Sequence, residues 1–177
     1  MERDPIIEAV LAREGKPSNR LDDRGGNTHF GITKPFLSDR LGRLATDADI
    51  DALTIELARE HYASFMRDTR IGQIVNQQVR GAVFDAAVHS GASRAIKLLQ
   101  GALGLKPDGV IGPITLAALP HLDGSRLAVR VHTQRLRFIA AIVRGDLEDR
   151  DCDGVPDQVE NLGGWIDRVC DQIEEVA

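Results

Sequence analysis

From Val75 to Val143 the apolar residues recur three and four positions apart, and this period constrains the fold more than any other feature of the chain. Val79, Ala82, Val83, Ala86 and Ala87 predict a helix from Val75 to His89. Their small size implies a central helix packed closely on several sides, ended by His89-Ser90-Gly91. A second helix is expected over Ala92–Leu103, with Ile96, Leu99 and Leu103 on one face. Pro107-Asp108-Gly109 is a turn, Gly112-Pro113 opens a short helix to Leu119, and Pro120 stops it. Ser125 is the expected cap of a longer helix from Arg126 to about Val143. Leu127, Val131, Leu136, Ile139 and Val143 turn inward on it, and Gly145 ends it. A last amphipathic helix spans Trp165 to Val176.

The N-terminal part is also largely helical. A short helix is expected from Thr33 to Leu44 with Pro35 in its first turn, and Thr46 or Asp47 caps a turn through Ile50. Thr54 caps Ile55–Met66, with Leu57, Ala58, His61, Tyr62 and Phe65 as the apolar stripe. On that stripe His61 and Tyr62 fit core packing with one polar tip better than a substrate role. The fold class is mainly α with one small N-terminal β-hairpin, and a boundary falls at 68–76. The division is 1–75 and 76–177.

The hairpin lies in Ile6–Thr33, the stretch that speaks to function. Ile7, Leu11 and Glu14 share one helical face with Ile6 and Val10 beside them, so Glu14 points where Leu normally points. Desolvation there raises a carboxyl pKa, which suits a general acid near neutral pH. Gly15 ends this helix. Asp22-Asp23-Arg24-Gly25-Gly26 then forms a tight turn between two short strands. Thr28, Phe30 and Ile32 alternate with His29 and Gly31, which places Thr28 on the apolar face and His29 on the solvent face. Glycoside hydrolysis needs an acid and often a second carboxylate. Glu14 with Asp23 supplies such a pair, and Thr28 can help to hold an attacking water. Asp22 competes with Asp23 for the second role.

Composition narrows the remaining classes. With 42% hydrophobic and 28% charged residues over 177 positions, the chain has the make-up of a soluble globular protein. No apolar run reaches membrane-span length, and Met1-Glu2-Arg3-Asp4 lacks the features of a secretory signal. The net charge of −5 is accounted for by residues 148–160, with six acids against one base. No basic cluster suited to nucleic acid is expected, and neither is membrane insertion. Cys152 and Cys170 are too few for a disulfide framework or a zinc site, and their pairing stays open. A monomer is expected.

Several separated motifs agree in order with one family. Glu14-Gly15, Asp22-Asp23, Gly25-Gly26, Thr28 and Gly31-Ile32-Thr33 resemble the opening motif of glycoside hydrolase family 108, phage endolysin-type N-acetylmuramidases with a lysozyme-like fold. Leu53-Thr54, Glu56 and His61-Tyr62 are similar to that family's second helix. Phe84-Asp85-Ala86-Ala87-Val88 with Ser90-Gly91 resembles the start of its companion peptidoglycan-binding module. Leu98-Leu99-Gln100, Leu103-Gly104, Asp108-Gly109-Val110-Ile111-Gly112-Pro113 and Thr115-Leu116 resemble the rest of that module. The resemblance implies cleavage of the β-1,4 bond between N-acetylmuramic acid and N-acetylglucosamine. In it Glu14 takes the place of the catalytic glutamate, and peptidoglycan glycan strands are the partner. His29, Tyr62 and His89 are the candidate substrate contacts. The family usually has Glu-Gly-Gly-Tyr where this chain has Glu14-Gly15-Lys16-Pro17, and often Asn where it has His89. The resemblance also implies synthesis in the cytoplasm and action on the wall after holin-type release. A lytic transglycosylase using Glu14 alone and a non-catalytic wall-binding accessory protein are the competing readings.

A separate signal lies beyond these motifs. Asp149 to Glu160 reads as a twelve-residue EF-hand-type loop, with Asp149, Asp151, Asp153 and Asp157 at positions 1, 3, 5 and 9. Gly154 occupies position 6, Val155 offers its carbonyl at 7, and Glu160 closes the loop at 12. One structural Ca²⁺ is expected there, tying the helix that ends at Gly145 to the last helix.

Overall fold

The computed structural model describes residues 3–14, 28–145 and 159–174. In chain order the described helices are α1 (Pro5–Glu14), α2 (Lys34–Leu41), α3 (Asp47–Asp51), α4 (Ile55–Asp68), α5 (Gln77–Ser90), α6 (Ala92–Ala102), α7 (Pro113–Ala118), α8 (Gly124–Gly145) and α9 (Val159–Glu174). The chain divides into two compact units, Met1–Thr69 and Arg70–Ala177.

In the first unit three threonines start three helices. The Thr33, Thr46 and Thr54 hydroxyls accept hydrogen bonds from the backbone N–H groups of Phe36, Asp49 and Leu57 at 3.3, 3.2 and 3.2 Å. Asp49 answers by accepting from the Thr46 N–H at 2.8 Å, which completes a capping box and decides between Thr46 and Asp47. Helix α2 stops three residues short of Leu44, because Gly42 takes up a left-handed conformation (φ +65°) and closes it onto the Ser38 carbonyl. Helix α1 packs on α4 through Ile6, Ile7, Val10 and Leu11, and Arg59 donates to Glu8 through Nε and Nη2 at 2.6 and 3.2 Å. The buried stripe of α4 is Ala58, Tyr62 and Met66, an i, i+4, i+8 row, while Leu57 is 43% exposed. The row that meets α1 sets the buried face here, rather than the largest apolar side chains.

Residues 28–32 are not a continuous strand. His29 and Ile32 exchange backbone hydrogen bonds (Ile32 N to His29 O, 3.0 Å; His29 N to Ile32 O, 3.4 Å) as an isolated antiparallel bridge. Phe30 and Gly31 between them have φ of +55° and +75°. Positive φ at both central residues is a two-residue hairpin turn, so the period-2 alternation breaks at Phe30. The expected turn at Asp22–Gly26 lies outside the described residues.

In the second unit α5 packs against α6 and α8, and α8 also packs against α6 and α9. Val79, Ala82, Val83, Ala86 and Ala87 are buried as expected. Asn76 caps α5 through Val79 N at 3.0 Å, so the helix starts at Gln77 and Val75 is left 92% exposed. The cap of α8 is Asp123, whose Oδ1 accepts from Arg126 N at 2.9 Å. Ser125, the expected cap, donates to Gln78 Oε1 instead, at 2.7 Å. Helix α9 begins at Val159, six residues before Trp165, and runs through Gly163-Gly164. Burial of Val169 and Gln172 offsets the low helix propensity of the glycine pair.

Two buried polar clusters hold this unit. Gln100, 2% exposed, has Nε2 at 2.6, 3.1 and 3.2 Å from Asp108 Oδ1, the Val110 carbonyl and Thr115 Oγ1. Its Oε1 accepts from the N–H groups of Asp108 and Gly109, both at 2.9 Å. The Leu-Gln and Asp-Gly-Val-Ile-Gly-Pro-x-Thr motifs therefore build one loop clamp. The second cluster joins three helices: Arg135 Nη1 on α8 donates to Asp85 Oδ2 on α5 at 2.8 Å and to Gln172 Oε1 on α9 at 3.0 Å. Arg168 Nη2 reaches Asp85 Oδ1 at 3.2 Å.

Candidate active site

Glu14 is the last residue of α1, on the same stripe as Ile7, Val10 and Leu11, but half-buried where they are buried. It sits directly against the Phe30-Gly31 turn. A Cβ added at Gly31 would lie 2.8 Å from Glu14 Cγ and 2.8 Å from Tyr62 Oη, at a φ that side chains rarely adopt. Glycine at 31 is thus what lets the turn close over the carboxylate stem.

Tyr62 holds the turn from below. Its hydroxyl donates to the Phe30 carbonyl at 2.8 Å, and its ring packs on Phe36 with centroids 5.7 Å apart. Tyr62 has no exposed surface. It positions the turn and does not offer a face to sugar, contrary to its place among the candidate substrate contacts. Phe30, a bulky residue at positive φ, stacks on His29 at 4.0 Å and 13°. Both rings are half-buried, as is Thr28. His61 is half-buried, and burial together with Arg40 pushes its imidazole below the usual histidine value. His89 belongs to the second unit and is exposed in the last turn of α5.

Asp22, Asp23, Gly15, Lys16 and Pro17 lie outside the described residues, and so do Asp149, Asp151, Asp153, Val155 and Asp157. Among the described residues no group of three or more His, Cys, Asp or Glu is placed to hold a metal ion. The backbone of Glu160 belongs to the first turn of α9. Cys170 is an exposed thiol on α9, and Cys152 lies outside the described residues.

The importance of Gly31 and Tyr62 as a support for Glu14 was missed in sequence reasoning. Both stand in the motifs shared with the family, Gly31-Ile32-Thr33 and His61-Tyr62, but the local pattern gives neither this role, since Gly31 continues a strand-like alternation.

Comparison with known proteins decides the family. The profile described as Glycosyl hydrolase 108 matches residues 7–91, and the one described as "Predicted Peptidoglycan domain" matches 94–170. The solved structure of Brucella abortus SagA is similar at a TM-score of 0.81 and 30% identity, over 96% of this chain and 90% of that one. The chain belongs to the glycosyl hydrolase 108 family. A search of curated proteins returned no match. This glycosyl hydrolase 108 member has the mainly α, lysozyme-like fold and acts on peptidoglycan as a glycoside hydrolase. Its hydrolase match contains Glu14, Gly31, Tyr62 and Phe84–Val88, so the last motif falls in the first match and not in the second.

The Gly31 seat has a consequence for activity. With Glu14 as a reacting group, Gly31→Ala is expected to lower lytic activity by about tenfold or more, since a misplaced reacting group loses effective concentration steeply. The left-handed strain adds a stability cost of about 1 kcal/mol. Gly42→Ala is the control: Gly42 has a similar φ of +65° but nothing within 4 Å of its added Cβ. It is expected to lose the same stability and keep full activity, with cell lysis and thermal melting as the two measurements.

Proposed function

We propose that this family member is a muramidase that hydrolyses the β-1,4 bond between N-acetylmuramic acid and N-acetylglucosamine, with Glu14 as general acid. The observation that carries the proposal is the seat of Glu14, half-buried at the end of α1 and covered by a tight turn that Tyr62 holds in place. Glu14 gives its proton to the glycosidic oxygen as the C1–O bond breaks. A water adds to C1 from the opposite face and yields its proton to Asp23 or Asp22, with Thr28 helping to orient it. That sequence inverts the anomeric centre. The stacked His29-Phe30 pair supports a sugar contact at His29, and His89, exposed in the second unit, is a separate proposed glycan contact. The enzyme acts as a monomer on the wall side of the membrane, where its substrate lies; among the described residues no helix is long and apolar enough to cross a membrane.

Purified sacculi digested by the enzyme are expected to release muropeptides with reducing N-acetylmuramic acid ends, read by mass spectrometry. Release of 1,6-anhydro ends makes the enzyme a lytic transglycosylase using Glu14 alone. No release supports a non-catalytic accessory protein.

Calcium belongs to the same proposal. The twelve-residue acidic stretch begins four residues after α8 ends at Gly145, and its last two residues, Val159 and Glu160, open α9, a chain order that supports an EF-hand-type site. One Ca²⁺ held there is structural. Chelation is expected to lower the melting temperature by several degrees, since a ligand bound only to the native state at 100 times its Kd contributes about 2.7 kcal/mol. An unchanged melting curve in chelator removes calcium from the account and leaves Glu14 untouched.

A further inference from the structure

Within the second unit, the C-terminal end of α6 and one face of α8 enclose a groove of about 420 Å³, a volume suited to a small ligand. One wall is the row Arg130, Thr133, Gln134 and Arg137. These are i, i+3, i+4 and i+7 positions, the spacing of a helical face, yet all four are polar. The inward face of α8 is a different row, with Leu127, Val131, Arg135 and Ile139 buried. The groove row therefore has no part in the core.

Charge singles out this wall. In a chain of net charge −5, α8 carries five arginines and no acid, and α6 carries Arg94 and Lys97 and no acid. Arg135 is buried against Asp85, so the groove row itself presents two of these arginines, Arg130 and Arg137. Arg130 and Arg137 are exposed, and among the described residues no carboxylate pairs with either.

The opposite wall is residues 101–104. Helix α6 ends there in a Schellman motif: Leu105 N bonds to Gln100 O at 2.8 Å and Gly104 N to Gly101 O at 3.1 Å, with Gly104 at φ +74°. The Gln100 and Gly101 carbonyls are taken up by this cap, and the wall carries no acidic side chain. One wall thus donates from guanidinium groups, and the other is formed by small and apolar residues.

We propose that this groove binds the stem peptides of peptidoglycan through their carboxylates. Arg130 and Arg137 lie seven residues apart, about 10 Å along the helix axis. Three extended peptide residues span the same length, so two carboxylates separated by that much backbone meet both guanidinium groups. The intervening peptide lies against residues 101–104 and Gln134. The proposal rests on the reading of residues 94–170 as a peptidoglycan module, and it adds that recognition there is of peptide rather than glycan.

The test uses the full chain, calorimetry and four probes: the tetrapeptide L-Ala-γ-D-Glu-L-Lys-D-Ala, the same peptide with both carboxylates amidated, peptide-free glycan strands, and whole sacculi. The acidic tetrapeptide is expected to bind, and amidation to weaken it at least tenfold. Arg130→Gln and Arg137→Gln are each expected to weaken it about tenfold with unchanged melting temperatures, since both side chains are exposed. Equal binding of the acidic and amidated peptides, or unaltered affinity in both variants, overturns the proposal. Binding of glycan strands that neither variant alters overturns it as well and leaves the peptidoglycan module standing. Loss of all binding to sacculi by the wild-type chain sinks the module reading itself. Arginine-dependent binding of a DNA oligonucleotide in place of the tetrapeptide overturns the choice of ligand.

Discussion

Glu14→Gln is expected to lower lysis of outer-membrane-permeabilised cells by about 10²–10⁴-fold, the range of a lost general acid. Glutamine keeps the size and hydrogen-bonding capacity of the side chain and removes only the transferable proton. The variant should therefore fold: α1 is anchored by Ile6, Ile7, Val10 and Leu11, and Glu14 lies at the edge of that stripe. Its melting temperature is expected to stay within about 2 °C of wild type, as for a substitution outside the core. Binding to sacculi, carried in the second matched segment, should also persist. Equal lysis by Glu14→Gln and wild type would remove Glu14 from the chemistry and return the chain to the accessory-protein reading. The contrast with Gly31→Ala separates chemistry from positioning. Loss of the proton is expected to lower turnover at every substrate concentration by that larger factor, whereas a displaced carboxylate is expected to leave more residual activity.

The largest stability effect is expected at Asp85. Its carboxylate is 2% exposed and faces Arg135, which is 1% exposed, and Arg168. Asp85→Ala leaves two guanidinium groups facing a vacated buried site, a loss of about 3–5 kcal/mol. For a unit of this size each kcal/mol moves the melting temperature by about 4 °C, so a fall of roughly 12–20 °C is expected. A fall below 3 °C would show that the three-helix tie is dispensable.

The same group sets an acid limit. Burial alone would push the Asp85 carboxyl up, but Arg168 and Arg135 outweigh it and hold the value at about 2. A folded-state value below the unfolded one of about 3.9 means the native state gains stability above that pH. The gain, about 2–3 kcal/mol from the size of the shift, is lost as the pH falls from about 4 through 2. Wild-type protein should lose stability across that window, and Asp85→Ala should show a flatter profile there, measured by urea unfolding at fixed pH.

Asp85 also shows where sequence reasoning stops. Its place in a helix of small residues was legible, because Ala82, Val83, Ala86 and Ala87 mark the buried surface by period alone. That an aspartate should share that surface was not, since its two arginines come from positions 135 and 168. Arg135 occupies a core position of α8, where the apolar pattern pointed to Leu136, which is only half-buried. The α8 cap moved from Ser125 to Asp123 for a similar reason: Gly124 fits closely against Asn76, a contact made across 48 residues. Apolar periodicity does not mark the groove, because the i, i+3, i+4, i+7 row at 130–137 is polar.

The sequence by itself determined the helical class, the Thr54 cap and the family, because each rests on residues within a few positions of one another or on motifs in fixed order. Glu14 was also legible, as a carboxylate at an apolar position. Only the tertiary structure decided what surrounds it. The turn at Phe30-Gly31, the missing Cβ at Gly31 and the Tyr62 hydroxyl meet across 48 residues of chain between Glu14 and Tyr62, with no local period linking them. Local patterns report backbone preference and burial. The surroundings of a candidate catalytic side chain such as Glu14 are set by which distant backbone can approach it, and that depends on the packed fold.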